Sequence, residues 1–397
     1  MPRTTWLGVV ALVLALAAVA SMPTRARAIQ EPLLTFVSMP DFLNADVAST
    51  TSLPRWQPGD PTSTNKWWRE AIGAVLDAVQ SHDPDLVLVA GDLVHGEWHK
   101  DEERVRLFGS IRGLQRKRLA IHRAGALYYG RWKRRFAARD LPVHPTLGDH
   151  EIGDNPWLPG KAKTKLVRTF KNTWARAFTD RAEYGMHPTG TAYDRTAYAF
   201  TVQNTLFVGV DVFRARKNGV EITVRGGQLR WLRDLLERAR LDPRIAHVVV
   251  QGHTPVLGPV RGDHTSGLTM AGGSSSEFWS TLKTLGADLY LAGEFHAITS
   301  INDGPIEQLV HGGNVGKGSY HSFVVGKVYP DRIELTAYEA PLYHYLRKRT
   351  LWNTTSNGPA AIVVVGLYEP VGTLTRIEVA GHTEWQDRTG VFMPYQP

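Results

Sequence analysis

An α/β fold follows from three observations on this 397-residue sequence. Apolar runs at 33–39, 85–91, 205–212, 246–252 and 287–293 lack polar alternation, as strands covered on both faces do. Amphipathic stretches with helical spacing, at 66–82, 226–241 and 276–286, separate them in a repeated β-α-β order. Strand-like segments also end in short blocks of glycine, carboxylate and imidazole: Gly91-Asp92, Gly148-Asp149-His150-Glu151, Gly252-His253 and Gly293-Glu294-Phe295-His296. In an open α/β sheet, such strand tips converge on one crevice.

The chain ends differently. Residues 322–340 read as a hairpin turning at Tyr329-Pro330-Asp331, and 361–369 and 373–381 read as two more antiparallel strands. No internal repeat or low-complexity linker follows the N-terminus. The expected organisation is one α/β domain over 29–340 with a β-rich extension over 341–397.

The first 28 residues read as a signal peptide. Arg3 supplies the positive start, residues 6–20 the apolar core, and Ala26-Arg27-Ala28 a small-x-small cleavage site. The core is shorter than the ~20 residues a spanning helix needs, so export is expected over anchoring. The destination is the periplasm, the cell envelope or the exterior.

Hydrophobic residues make up 43% and charged residues 21% of the chain, which excludes a disordered class. Cysteine is absent, which rules out thiolate metal sites and thiol nucleophiles. Removing the arginines at 3, 25 and 27 takes the 46 Lys and Arg to 43, against 38 Asp and Glu. A net of +5 is compatible with an anionic substrate.

Residues 112–139 hold ten Lys or Arg and no acid. Such a run is either a solvated helix face or a docking surface for a phosphate-rich polymer or anionic lipid. No sequence-specific nucleic-acid binding is expected. Residues 258–278, rich in Gly and Ser just after His253, are expected to form a lip of the crevice.

The ordered blocks from Asp41 to His296 resemble the calcineurin-like metallophosphoesterase superfamily, whose pattern is an Asp block, GDxx, GNH(D/E), an isolated GH and GHxH. The resemblance spans about 33–340. It implies a four-layer α/β/β/α sandwich with two metal ions at the strand ends and a phosphate-ester substrate. Carried over, Asp92 bridges the two ions. Asp41 and His296 hold the first; Asp149, His253 and Glu294 hold the second. A water shared by the ions would lose its proton near neutral pH and attack phosphorus in line. His150 would act as general acid or charge stabiliser, with Glu151 fixing its orientation.

Three positions depart from the family's pattern. Asp41 is followed by Phe42 and Leu43, where the opening block normally has Asp-x-His. His95 can supply the imidazole, three residues after Asp92, where the purple acid phosphatase branch has a metal-binding tyrosine; Asn44 and Asp46 compete for the role. Asp149 replaces the usual Asn, as in the PhoD-like alkaline phosphatase/phosphodiesterase branch, and Glu294 replaces the first His of GHxH. The two added carboxylates favour Fe, Mn, Mg or Ca over a zinc pair. They also repel a dianionic monoester more than a monoanionic diester. The rival reading is a metal-binding member that has lost turnover and acts as an envelope or polyanion-binding protein.

Overall fold

Leu34–Ser38, buried at all five positions, forms β1 in the computed structural model of the chain. The structure describes residues 30–41, 66–100, 106–179, 184–345, 362–379 and 382–395. The signal peptide, Asn44 and Asp46 lie outside these residues. The chain divides into units Met1–Pro32 and Leu33–Pro397, and every element below belongs to the second.

β1 pairs in parallel with β2 (Leu86–Val89), and β2 with β3 (Val143–Pro145). Parallel neighbours require a crossover. Here the crossovers carry α1 (Lys66–Gln80) and α2 (Gly113–Ala137). α2 is long because one face is apolar at helical spacing: Ile121, Ala124, Tyr128, Trp132 and Phe136 are all buried. α3 (Ala162–Phe178) crosses it at Gly125, where a Cβ would meet Thr173 Cγ2 at 2.2 Å.

The middle of the chain builds a second sheet. β4 (Tyr198–Val202) and β5 (Thr205–Gly209) form a hairpin, and a further hairpin follows as β6 (Phe213–Arg216) and β7 (Gly219–Ile222). Then come α4 (Gly227–Leu241), β8 (His247–Gln251), α5 (Glu277–Thr284), β9 (Leu289–Ala292), β10 (Thr299–Asp303) and β11 (Ile306–Val310). Ser276 caps α5 by accepting the Trp279 N–H. The strand order is β10-β11-β9-β8-β5-β4, with β5, β8, β9 and β11 parallel.

The remaining strands return to the first sheet. β12 (Tyr320–Val328) and β13 (Arg332–Tyr345) turn at 329–331 as the sequence predicts, and β12 lies antiparallel to β1. β14 (Ile362–Val365) and β15 (Glu369–Val379) each pair with β13, and β16 (His382–Gln386) closes the order β16-β15-β13-β12-β1-β2-β3. The strands after residue 340 therefore continue the first sheet.

The two sheets pack face to face. Phe36 of β1 meets Phe207 of β5 edge-on at 5.9 Å, and Gln251 Nε2 donates to the His144 carbonyl at 2.8 Å. Arg376 on β15 donates to Asp288, just ahead of β9, at 2.9 Å. On the outer faces, His82 after α1 lies 4.5 Å from Tyr338 of β13, and Arg233 of α4 donates to Thr281 of α5. The layers run α/β/β/α, and the C-terminal tips of β1, β2, β3, β8 and β9 meet at one place. Among the described residues, no helix is long and apolar enough to cross a membrane.

Candidate metal centre

Each expected ligand sits just past the end of a parallel strand: Asp41 after β1, Asp92 after β2, Asp149 after β3, His253 after β8, Glu294 and His296 after β9. Four of them, Asp41, Asp92, Glu294 and His296, have φ between 53° and 71°. That left-handed conformation is strained for a residue with a Cβ and is held only by its surroundings. The preceding glycines have a steric purpose. A Cβ on Gly148 would stand 2.0 Å from Asp92 Oδ1, and one on Gly293 would stand 2.3 Å from Asp41 Oδ2. Gly312 likewise lets the chain after β11 pass close to Asp41: a Cβ there would stand 2.9 Å from Asp41 Oδ2.

The side chains gather in groups whose ligand atoms lie within 4.8 Å of one another: Asp41 with Asp92 and His296, Asp149 with His253 and Glu294, and Asp92 with Asp149 and His150. Asp92 thus reaches both sides. His253 Nδ1 donates to the Ala90 carbonyl at 2.8 Å, because a carbonyl can only accept. Its Nε2 therefore points inward, 3.3 Å from Glu294 Oε2 and 3.4 Å from Asp149 Oδ1. His296 is arranged the same way, Nδ1 to the Asp263 carbonyl at 2.9 Å and Nε2 toward Asp41 at 3.7 Å. Backbone carbonyls behind inward imidazoles are the usual outer support of metal ligands.

These residues fit a cation pair. Both oxygens of Asp41 and Nε2 of His253 are buried and have no hydrogen-bond partner among the described residues. Buried polar atoms are otherwise almost always paired. Five carboxylates, Asp41, Asp92, Asp149, Glu151 and Glu294, are buried together. Burial pushes the Asp41 carboxyl up to about 6, against the pull of His296 and His253. Burial also drives Asp92 well above the usual range, with Asp149 and Glu151 adding to it. Asp149 goes the other way: burial opposes its charge, but His150, His253 and Asn155 outweigh burial and hold it well below that range. For His253, burial is overcome by Asp92, Asp149, Glu294 and Asp41, which raise it well above the ordinary imidazole value. The cluster holds more negative charge than its own imidazoles neutralise comfortably.

Two expected roles change in the structure. Glu151 does not orient the His150 ring. Its carboxylate accepts the N–H groups of Asp92 and Gly148 at 2.7 Å each, of Leu93 at 2.9 Å and of Val94 at 3.3 Å. What holds the His150 ring is the His95 carbonyl, 2.8 Å from Nδ1. His95 itself does not join the first group: its ring lies 5.7 Å from that of His150, and its Nε2 is 3.5 Å from Glu97 Oε2. Among the described residues the first group holds Asp41, Asp92 and His296.

Sequence reasoning missed the outer contributors. Asn155 Nδ2 donates to Asp149 Oδ2 at 2.6 Å. Thr265, Ser266 and the Leu268 N–H all donate to Glu294 Oε1. The glycine-rich stretch after His253 marked this lip, but nothing local marked its partners. Asp211 is structural, as its position at a strand tip implies. Its carboxylate takes Lys171, the Thr196 hydroxyl and the Phe213 N–H. His264 pairs with Asp263, and His144 stacks on Phe200.

The sequence model of one family, calcineurin-like phosphoesterase, matches residues 55–297. No curated protein sequence matches the chain. Among solved structures it is similar to PhoD, with 14% identity and a TM-score of 0.51 over 91% of this chain and 73% of that one. It is also similar to GAP50, described as the anchor in the inner membrane complex of Plasmodium, with 13% identity and a TM-score of 0.40 over 85% of this chain and 89% of that one. At these identities the likeness concerns the fold.

Proposed function

This chain belongs to the calcineurin-like phosphoesterase family, and from that premise we propose that it is an exported enzyme that hydrolyses phosphate mono- or diesters with two bound cations. The observation that carries the reading is Asp92, within ligand distance of both Asp41–His296 on one side and Asp149 on the other. Bound there, the cations supply Lewis-acid polarisation of the phosphoryl oxygens and an acidified water as nucleophile. Asp41 and His296 would hold one and Asp149, His253 and Glu294 the other, with Asp92 within reach of both groups.

His150 handles the proton. Burial alone would lower its pKa, but Asp92, Asp149 and Asp154 outweigh burial and raise it to about 10. With Nδ1 given to the His95 carbonyl, Nε2–H is left to meet a phosphoryl or leaving-group oxygen. The five buried carboxylates favour a diester, which brings less negative charge into the crevice than a monoester. Export rests on residues 1–28 alone.

An anionic partner on α2 is the second part of the proposal. Arg112, Arg116, Arg118, Arg123 and Arg134 are exposed, and Lys133, Arg134 and Arg176 line a groove of about 470 Å³ between α2 and α3. Binding to anionic vesicles or polyphosphate that weakens steeply with salt would support it.

The deciding experiment is hydrolysis of paired aryl phosphate mono- and diesters across Fe, Mn, Mg, Ca and Zn, with Asp92→Asn as control. Turnover abolished in Asp92→Asn establishes the enzyme, and the ester preference gives its class. A folded, cation-binding protein with no turnover on either ester would make it the non-catalytic member instead.

A further inference from the structure

The two carboxylates that depart from the family pattern, Asp149 and Glu294, are joined behind the crevice by a relay of hydrogen bonds. Asn155 Nδ2 donates one hydrogen to Asp149 Oδ2 at 2.6 Å and the other to Ser266 Oγ at 2.9 Å, with a longer approach of 3.4 Å to Asp154 Oδ1. An amide nitrogen only donates, so Ser266 accepts from Asn155 and its own hydrogen is free to go to Glu294 Oε1 at 2.6 Å. The Thr265 hydroxyl at 3.1 Å and the Leu268 N–H at 3.0 Å complete three donors on that single oxygen. Each carboxylate is therefore divided: Asp149 Oδ2 and Glu294 Oε1 face outward and are occupied, while Asp149 Oδ1 and Glu294 Oε2 face His253 Nε2.

We propose that Ser266 is a positioning residue that selects the second cation by holding Glu294 and Asp149 to one-oxygen ligation. The inference rests on the reading that these residues ligate a cation, and adds which cation they take. A large ion such as Ca²⁺ reaches seven or eight oxygens by taking carboxylates with both atoms, whereas smaller ions such as Mn²⁺, Fe²⁺ and Mg²⁺ are satisfied by six. An outward oxygen locked by three donors cannot turn in to serve as a second ligand. The loop thereby narrows the hard cations that the two added carboxylates favour toward the smaller ones. Among the described residues the Ser266 side chain bonds Asn155 and Glu294 and none of Asp41, Asp92 and His296, so the first group serves as an internal control.

The test is calorimetric titration of the full, metal-free chain with MnCl₂ and with CaCl₂, comparing the unaltered protein with Ser266→Ala and Ser266→Thr. Ser266 is exposed, so its removal leaves the core intact. Ser266→Ala is expected to lower the Mn²⁺/Ca²⁺ affinity ratio of one site by about 10-fold, the lower end of what losing an outer-shell partner does. The other site should be unchanged, and Ser266→Thr, which keeps the hydroxyl, should restore the ratio. An unaltered protein that binds two cations with the same ratio as Ser266→Ala overturns the inference and leaves the function standing. An unaltered protein that binds neither ion overturns both.

Discussion

Glu151 Oε2 lies 2.7 Å from the backbone nitrogens of both Asp92 and Gly148, so one carboxylate ties together the loops that follow β2 and β3. Its other oxygen takes the Leu93 and Val94 N–H groups. The loop that presents Asp92 in its left-handed conformation is thus held by a buried residue both of whose oxygens are taken by backbone N–H groups.

Glu151→Gln should therefore act on stability and cation binding together. The amide nitrogen cannot accept, which leaves buried N–H groups unpaired at a cost of about 2–4 kcal/mol. Urea denaturation of the metal-free protein would measure this. An unchanged midpoint would contradict the clamp.

Gly293→Ala tests the close approach to Asp41. With the new Cβ 2.3 Å from Asp41 Oδ2, that carboxylate must move. Cation stoichiometry should fall from two to one, because Asp149, His253 and Glu294 are untouched. A retained stoichiometry of two would show that the first group tolerates displacement.

His150→Gln should reduce kcat by about 10²- to 10⁴-fold, the usual contribution of a positioned acid. Both cations should remain bound. Loss of a cation along with kcat would instead make His150 a ligand beside Asp92 and Asp149.

Lys171→Met probes the pairing of Lys171 with the fully buried Asp211 at 2.5 Å. Removing one member of a buried pair leaves a charge without compensation and costs about 3–5 kcal/mol. Thermal unfolding should shift down by several degrees. Activity below the transition should be little changed, because Asp211 supports a turn and not the crevice.

Acid should destabilise the protein through His321. Burial lowers its pKa to about 3 from the ordinary 6.5. Between those values the unfolded chain binds a proton that the folded chain refuses. The stabilising contribution is complete above pH 6.5 and is lost as pH falls toward 3, by up to about 1.4 kcal/mol per pH unit. His321→Gln keeps a partner for the Tyr368 hydroxyl and cannot titrate. Its stability should depend less on pH across that window, read as the difference in denaturation free energy from the unaltered protein.

The gathering of Asp41, Asp92, Asp149, His253, Glu294 and His296 at one place was legible in the sequence because each element of it is local. An apolar run, a glycine and a carboxylate or imidazole make one strand tip, and the glycine is there because a Cβ would strike the next ligand over. The buried central strands were legible for the same reason. β10 and β16 were not, since Thr299–Asp303 is mostly polar and β16 alternates between exposed and half-buried positions. What only the tertiary structure decided are contacts between residues far apart in the chain. In the sequence Glu151 is simply the neighbour of His150, yet its Oε1 accepts from Leu93, 58 residues earlier. The sequence points to the ring of His95, yet its carbonyl meets His150 across 55 residues. Ser266 reaches Asn155 across 111. Residue type and spacing carry strand periodicity and steric demand, whereas a hydrogen bond depends on which loops the packed sheets bring within 3 Å, and no local pattern encodes that.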